Sequence, residues 1–419
     1  MGLWVGRKFQ PDSIFQPTKI ERKNFNMSSR QRCEKISLCA LTALLATGSL
    51  AAAEPLTPEQ ERELATLAQI SNWTWNASLS GAAGYRENVL LSSTNPVGSG
   101  FARGEIEAML LRLPTGGLDG YVFFNAIETR YFSTTKTDHE RTAFLVGEVR
   151  WQPGDSLKGS LQAQGYHQDQ VFDVSTTETS LDTALLKMTG FTLTPALRWN
   201  FTPQWWLEGK AVARRDSFDR DLDGYDDGEA RFRVGRTWGH GSEWSLDASR
   251  RWRAHDSREQ FSAGGRPLTG TRLKARLTEF GTQLSWVVDA EKHWRFTGAL
   301  SREENRDNGS GYFDYDRDVI TAGLTWDCDP WEIQLGIGRS DYDFPVQLVG
   351  FGIAPEHRRK KETRATVEVT RHLTESLALF AFFEAERSTS NDARSQFQNN
   401  TGYAGIRWSW DQLSKVLAE

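Results

Sequence analysis

Residues 402–410 read GYAGIRWSW and form the last apolar segment of a 419-residue chain. In this segment Ala404, Ile406, Trp408 and Trp410 alternate with small or polar residues. Because successive side chains of a β-strand point to opposite faces, one face of such a strand is apolar and the other is polar. The apolar face would meet a second sheet in a soluble sandwich and lipid in a membrane barrel. The rest of the chain distinguishes these two folds.

The same alternation recurs from residue 72 onward and predicts sixteen strands. The predicted strands are 72–86, 101–113, 118–132, 140–152, 157–172, 188–201, 205–215, 229–239, 244–255, 272–288, 293–304, 314–327, 331–342, 362–372, 376–387 and 400–410. The apolar face is clear in the first strand, where Trp73, Trp75 and Leu79 share it. The third and fourth strands carry apolar residues on both faces.

The connections between the predicted strands alternate in length. Every second one is short and turn-rich, such as Pro114–Gly117, whereas the others are long, such as 256–271 and 343–361. Short turns on one side and long loops on the other are typical of a transmembrane barrel, and a soluble sandwich has no reason to keep that order. The sequence therefore predicts an all-β fold, a transmembrane antiparallel up-and-down β-barrel of about 16 strands over residues 72–410, with a short N-terminal helix before it.

Tryptophan placement agrees with a membrane barrel. Most of the sixteen tryptophans, among them Trp73, Trp199, Trp206 and Trp331, lie within a few residues of a short turn or a chain end. Amphipathic rings favour the interface between membrane and water. The sequence therefore predicts an aromatic girdle on the short-turn side of the barrel.

The spacing Tyr403-x-Gly405-x-x-Trp408-x-Trp410 resembles the closing-strand signal of bacterial outer-membrane β-barrel proteins. In that family the barrel-assembly machinery reads the signal. Members usually end on the final aromatic residue, whereas residues 411–419 follow here and are expected to form a periplasmic tail. The resemblance is to porin-like barrels and indicates no subfamily. It implies an outer-membrane location among lipid and lipopolysaccharide, and passive passage of small polar solutes without a cofactor.

The N-terminal region reads as targeting sequence rather than barrel. Residues 27–53 combine a basic start, an apolar run and Ala51-Ala52-Ala53, which predicts a signal peptide cut before Glu54. Residues 1–26 fit no targeting pattern and are predicted to be an extension upstream of the true start. Thr57-Pro58 opens a short helix within 54–71, expected at the periplasmic mouth, in the lumen or as a loose tether. With 50 Lys+Arg against 55 Asp+Glu, the chain is not expected to bind nucleic acid.

The strand face opposite the apolar one carries charges of both signs. The predicted pore-lining positions are Arg198, Glu208, Lys210, Arg231, Arg233, Asp247, Arg251, Arg253, Arg295, Arg364, Glu368, Glu384, Glu386 and Arg407. They fit a water-filled pore for small polar solutes, or a salt-bridge network that fills the barrel; sixteen strands favour the pore. The arginines at 231, 233, 251 and 253 are expected to form an unpaired basic wall that faces Glu384 and Glu386 across the lumen.

Asp219, Asp221, Asp223 and Asp227 lie in the predicted loop 216–228 and repeat the ligand spacing of an EF-hand-type loop. The twelfth position holds Ala230 where such a loop has a bidentate glutamate. A weak Ca²⁺ site and a solvated acidic loop therefore both remain open, and no other cofactor is expected.

The chain is predicted not to be an enzyme, because its seven histidines are scattered singly and no nucleophile, base and orienting group can be recognised. The alternative to a pore is a receptor, adhesin or export helper that acts through its long loops. The basic run Arg358–Lys361, inside the predicted loop 343–361, would suit contact with lipopolysaccharide phosphates or a protein partner.

Overall fold

The computed structural model describes residues 73–134, 137–173, 183–219, 223–350 and 355–411. The predicted upstream extension, signal peptide, helix within 54–71 and residues 412–419 of the predicted tail lie outside these ranges. Within them, no helix is long and apolar enough to cross a membrane.

In the described residues, sixteen antiparallel strands close into one barrel. The strands are β1 (Trp73–Arg86), β2 (Ser99–Thr115), β3 (Leu118–Tyr131), β4 (His139–Trp151), β5 (Leu157–Asp173), β6 (Thr183–Asn200), β7 (Trp205–Phe218), β8 (Tyr225–Trp238), β9 (Ser242–His255), β12 (Lys274–Val287), β13 (Trp294–Asp307), β14 (Tyr315–Cys328), β15 (Trp331–Val349), β16 (Glu356–His372), β17 (Leu377–Ser390) and β18 (Phe397–Asp411). A separate hairpin, β10 (Gln260–Phe261) with β11 (Pro267–Leu268), lies between β9 and β12, and a 3₁₀ turn, Ala393–Ser395, precedes β18. β18 pairs with β1, so the predicted closed barrel of sixteen strands is confirmed.

Alternate residues of each strand form an apolar outer surface. In β18, Ile406 and Trp408 are 53% and 54% exposed, and Trp410 follows on the same face. In β1, Trp73, Trp75 and Leu79 are likewise exposed. A continuous exposed apolar surface around a closed barrel matches a wall that faces lipid.

Trp206 does not belong to the aromatic girdle, so the prediction is wrong for this residue. Its side chain faces the barrel interior, is 1% exposed and lies under the Arg198 guanidinium, 4.0 Å from the ring centroid. Its neighbour Trp205 occupies the other strand face, and consecutive residues of a strand cannot share a face.

The strands extend further on the long-connection side than predicted. β15 runs to Val349 and β16 begins at Glu356, so the predicted loop 343–361 is wrong and its basic run lies in a strand. β8 begins at Tyr225, which reduces the predicted loop 216–228 to 219–224. Beyond the lipid the outer face of a strand is no longer apolar, so charged residues there do not mark the end of a strand.

Candidate functional site

The candidate site is the inner face of the barrel. All of the predicted pore-lining positions lie there, because each is flanked along its strand by outward-facing residues. Arg231 and Arg233, for example, flank the exposed Phe232, and Glu384 follows the exposed Phe383. Their role in solute passage stays a prediction.

Three of the four arginines expected to form the basic wall, Arg231, Arg251 and Arg253, are paired with acids on their own wall. Arg231 donates to Glu229 at 3.0 Å, and Arg251 donates to the other oxygen of the same carboxylate at 2.8 Å. Arg253 makes two hydrogen bonds of 2.7 Å to Asp227. The expectation of an unpaired basic wall is therefore wrong. The sequence interpretation placed Asp227 in a loop, whereas the earlier start of β8 puts it on the same face as these arginines.

The opposite wall also carries both signs, so the two walls do not oppose each other as basic and acidic surfaces. Arg364 forms an ion pair with Glu384 of the neighbouring strand. Arg407 lies 3.9 Å from Glu368 and stacks over the Phe380 ring, 5.1 Å from its centroid. Each of the two walls therefore carries ion pairs of its own.

Two further pairs lie towards the short-turn end. Lys210 is 3.5 Å from Glu208, and Arg198 is 3.8 Å from Glu243, three strands away. The Glu243 and Glu368 side chains keep 35% and 31% of their surface exposed. Water therefore reaches the charged groups in this part of the lumen.

The long-connection end of the lumen is much drier. The side chains of Asp216 and Arg253 are 0% and 2% exposed there, and that of Arg317 is also buried. The Tyr166 hydroxyl donates to Asp216, which also pairs with Arg214 at 2.8 Å. Ionised groups are retained in such a place only when they are paired, and these are.

Lys360 of β16 reaches across the mouth at this end. Its ammonium lies 2.6 Å from Asp173 of β5 and 2.8 Å from Glu362, and its side chain is 1% exposed. Six strands separate β5 from β16 on one side of the ring and eight on the other. The contact therefore spans the lumen, and we call Lys360, Asp173 and Glu362 the mouth clamp.

The connection between β1 and β2 also enters the mouth. Leu91 packs in a buried cluster with Val171 of β5 and Phe397 of β18. The Arg86 guanidinium pairs with Glu140 at 3.0 Å, and Glu140 accepts the Val171 backbone N–H at 3.1 Å. The Arg86–Glu140 pair and the Leu91 cluster join strands that are not neighbours in the barrel, so they narrow the opening.

An aromatic cluster fills a second sector of the mouth. Its buried members are Leu273, Phe313, Tyr315, Tyr342 and Phe344, and Phe261 of the β10–β11 hairpin packs against them. The Arg358 guanidinium lies 4.9 Å from the Phe344 centroid and donates to Ser395 at 2.7 Å. Sequence reasoning missed both the clamp and this cluster. The sequence did carry a signal for the mouth clamp, because Lys360 and Glu362 are alternate residues on the same strand face as the predicted pore-lining Arg364.

The ambiguous third and fourth predicted strands are apolar on both faces in the structure. Phe123 and Val146 face the interior and form a buried cluster with Met109. Their neighbours Val122 and Leu145 are exposed on the outer face. The inner wall therefore has one apolar sector among its charged ones.

The acidic motif is divided between two structural roles. Asp223 accepts hydrogen bonds from the Ser257 backbone N–H at 2.7 Å, the Ser257 hydroxyl at 2.8 Å and the Arg258 N–H at 2.7 Å. Burial acts to raise the pKa of Asp223, but these hydrogen bonds outweigh it and hold the pKa below its ordinary value. Asp227 is engaged by Arg253, and Asp219 donates its backbone N–H to the Lys187 carbonyl. Asp221 lies outside the described residues, and the calcium site stays a prediction.

The closing-strand residues have identifiable positions. A Cβ on Gly405 would lie 2.2 Å from the Gly81 carbonyl oxygen, so only glycine lets β18 approach β1 this closely. Tyr403 faces inward and stacks on Phe382 at 4.9 Å. Trp408 and Trp410 face outward, with ring centroids 5.8 Å apart and planes 15° apart. Recognition by the assembly machinery stays a prediction.

The chain has the architecture of an outer-membrane β-barrel. No protein-family profile and no curated protein sequence matches it. Among solved structures it is similar to OprD of Pseudomonas aeruginosa (9% identity, TM-score 0.43, covering 81% of this chain and 95% of that one). It is also similar to OccAB1 of Acinetobacter baumannii, with 8% identity and a TM-score of 0.44, covering 82% of this chain and 97% of that one. A third similar structure is OmpT of Vibrio cholerae, with 11% identity and a TM-score of 0.41, covering 82% of this chain and 99% of that one. At these sequence identities and TM-scores, the structural similarities carry no argument about function.

Proposed function

We propose that this barrel is a narrow pore for small polar solutes in the bacterial outer membrane. The observation that carries the proposal is the row of partly exposed ion pairs inside a closed, outwardly apolar barrel. Burying an isolated charge in a dry interior costs several kcal/mol, so charges that keep a quarter to a third of their surface exposed require water around them. A barrel of this strand number encloses more space than side chains alone fill.

The mouth limits what passes. The mouth clamp and the inward-folded β1–β2 connection lie between the wet part of the lumen and the long-connection side. A solute must move past Lys360 and Asp173, which favours small polar molecules and ions over bulky or apolar ones. The pore is therefore expected to conduct weakly, or to open only when the clamp separates.

Location and assembly follow from sequence features. The signal peptide at 27–53 would deliver the chain across the inner membrane, and the segment 402–410 would be read by the assembly machinery. The short turns would then face the periplasm and the long connections the cell exterior, among lipopolysaccharide.

Conductance in a planar bilayer tests the proposal. The purified, heat-modifiable protein should produce discrete steps of small amplitude, and a panel of uncharged solutes should show exclusion by size. If correctly folded protein produces no steps, and none appear when the clamp is removed by Lys360→Met, the pore is refuted. A barrel that acts through its surface loops would then take its place.

A further inference from the structure

A group of outward-facing side chains on β9 and β12 has the chemistry of an anion site. Arg250 and Trp252 share the outer face of β9 with the exposed Leu246, and Lys274 and Arg276 share that of β12 with the exposed Phe280. We call these four residues (Arg250, Trp252, Lys274 and Arg276) the β9–β12 basic patch. It lies on the membrane-facing wall near the long-connection end, not in the lumen.

The strand register places the patch residues together. Trp252 is directly opposite Arg276, Arg250 is opposite Thr278, and Lys274 is opposite Ala254. Side chains directly opposite each other on an antiparallel pair are about 5 Å apart at Cβ, and diagonal neighbours about 7–8 Å. Arg276 is therefore within that diagonal distance of Arg250, and long flexible side chains at such spacing can converge on one phosphate group.

The cations of the patch are not neutralised. Among the described residues, none of Arg250, Lys274 and Arg276 has an acidic side chain within ion-pair distance. The carboxylates on either side are already engaged: Asp226 lies 3.3 Å from Arg215, and Glu304 lies 3.7 Å from Arg302. Three positive charges thus remain available on one small area of the outer wall.

The next wall sector is different and provides a comparison. There Arg306 pairs with Asp316 at 2.6 Å and Arg302 with Asp318 at 3.4 Å. In the basic run expected to contact phosphates, Lys360 is enclosed in the mouth clamp and Arg359 lies 3.5 Å from Asp343. Three of the four cations of the basic run, Arg359, Lys360 and Lys361, are therefore paired with acids of this chain, whereas those of the β9–β12 basic patch are not.

The height of the patch on the barrel fits the boundary of the lipid. Phe280 and Leu246, which face the acyl region, lie a few residues toward the short-turn end. Trp252 sits where the apolar surface ends, the position that indole rings favour, and the Arg250 guanidinium lies 5.8 Å from its ring centroid. An anionic headgroup of the same leaflet would lie level with these cations.

We propose that the β9–β12 basic patch binds a phosphate of the phosphorylated glycolipid in the outer leaflet, the lipid A part of lipopolysaccharide. Arg250 and Arg276 hold the phosphate oxygens through charge-assisted hydrogen bonds, and Lys274 adds a third positive charge. One acyl chain lies along Leu246 and Phe280. The inference rests on the proposed outer-membrane location, but it does not require that the lumen conduct.

Lipid binding by the purified full-length barrel in detergent tests this site. The probe is bisphosphorylated lipid A, with dephosphorylated lipid A as the comparison, and bound lipid is counted by native mass spectrometry across a titration. Arg250→Gln with Arg276→Gln should weaken binding of the phosphorylated lipid by about tenfold or more, since each lost contact to an ionised group is a strong one. Binding of the dephosphorylated lipid should not change.

The matched control is Arg130→Gln with Arg141→Gln. These two outward arginines lie at the same end of the barrel on β3 and β4, beside Glu128, and removing them changes the net charge equally. The control should bind lipid A as the wild type does, and heat-modifiable mobility should show that both variants are folded. Equal binding of the two lipids by the wild type, or equal loss in both variants, would overturn the site. Conductance of the same preparations reports on the pore separately.

Discussion

Replacing Lys360 with methionine should open the mouth of the barrel. The substitution keeps most of the side-chain length and removes the ammonium that lies between Asp173 and Glu362. In the closed arrangement the two carboxylates would then face each other in a poorly solvated place. Separation of β5 from β16 at the mouth would let water reach both carboxylates.

The size of the effect follows from burial. Removing one partner of a buried ion pair costs roughly 3–5 kcal/mol. Both carboxylates keep a little exposure, at 11% and 16%, so the lower value, about 3 kcal/mol, is appropriate. Because about 1.4 kcal/mol is a factor of ten in an equilibrium constant, the population of the closed arrangement relative to open ones should fall by roughly two orders of magnitude.

Single-channel recording measures this shift directly. The Lys360→Met protein should show a higher open fraction or larger steps than the wild type at the same voltage and salt. The matched control is Lys361→Met, because Lys361 faces outward, is half exposed and lies 3.7 Å from Asp341. That variant should conduct as the wild type does. Wild-type conductance from folded Lys360→Met protein, or an equal change from Lys361→Met, would refute the clamp.

Four further outcomes are expected. Glu229→Gln should shift ion selectivity toward anions, because Arg251 and Arg231 each lose a carboxylate partner and, among the described residues, only Arg231 keeps a second one, Glu279 at 3.7 Å. Reversal potentials in a salt gradient measure the shift, and an unchanged reversal potential would contradict the pairing on this wall. Trp410→Asp should reduce the yield of heat-modifiable barrel, whereas Ser409→Asp, on the inner face, should be tolerated. Asp223→Ala should expose the β9–β10 connection to protease with or without a chelator. In the wild type the pKa of Asp223 is depressed by folding, so protection of this connection should persist above about pH 4 and fall as the pH drops through the folded pKa. Sequencing of membrane-purified protein should find a start near Glu54, and a start at Met1 would disprove the signal peptide.

The alternation of apolar and polar residues was sufficient to predict the barrel, because lipid on one side and water on the other impose period two on each strand. The same reasoning failed where a strand leaves the lipid. Lys360 and Asp227 lie in strands whose two faces are both polar, so period two in hydropathy disappears there although the backbone pairing continues.

Pairing across the lumen could not be predicted from the sequence, for a different reason. The contact of Lys360 with Asp173 depends on ring closure, which brings together residues separated by 187 positions. By contrast, the pairing of Arg253 with Asp227 depends only on the register of adjacent strands, and a correct start for β8 would have revealed it.

The seam between β1 and β18 has a consequence for the order of events in the cell. It pairs Asn76 with Asp411, residues from the two ends of the described chain. Until β18 has been synthesised and delivered, β1 and β17 each present an unpaired backbone edge, which attracts other chains in water and cannot be placed in lipid. A contact this distant in sequence is also slow to form. A chain that stops before Phe397 would therefore remain an open sheet that depends on chaperones, and would not become a smaller barrel.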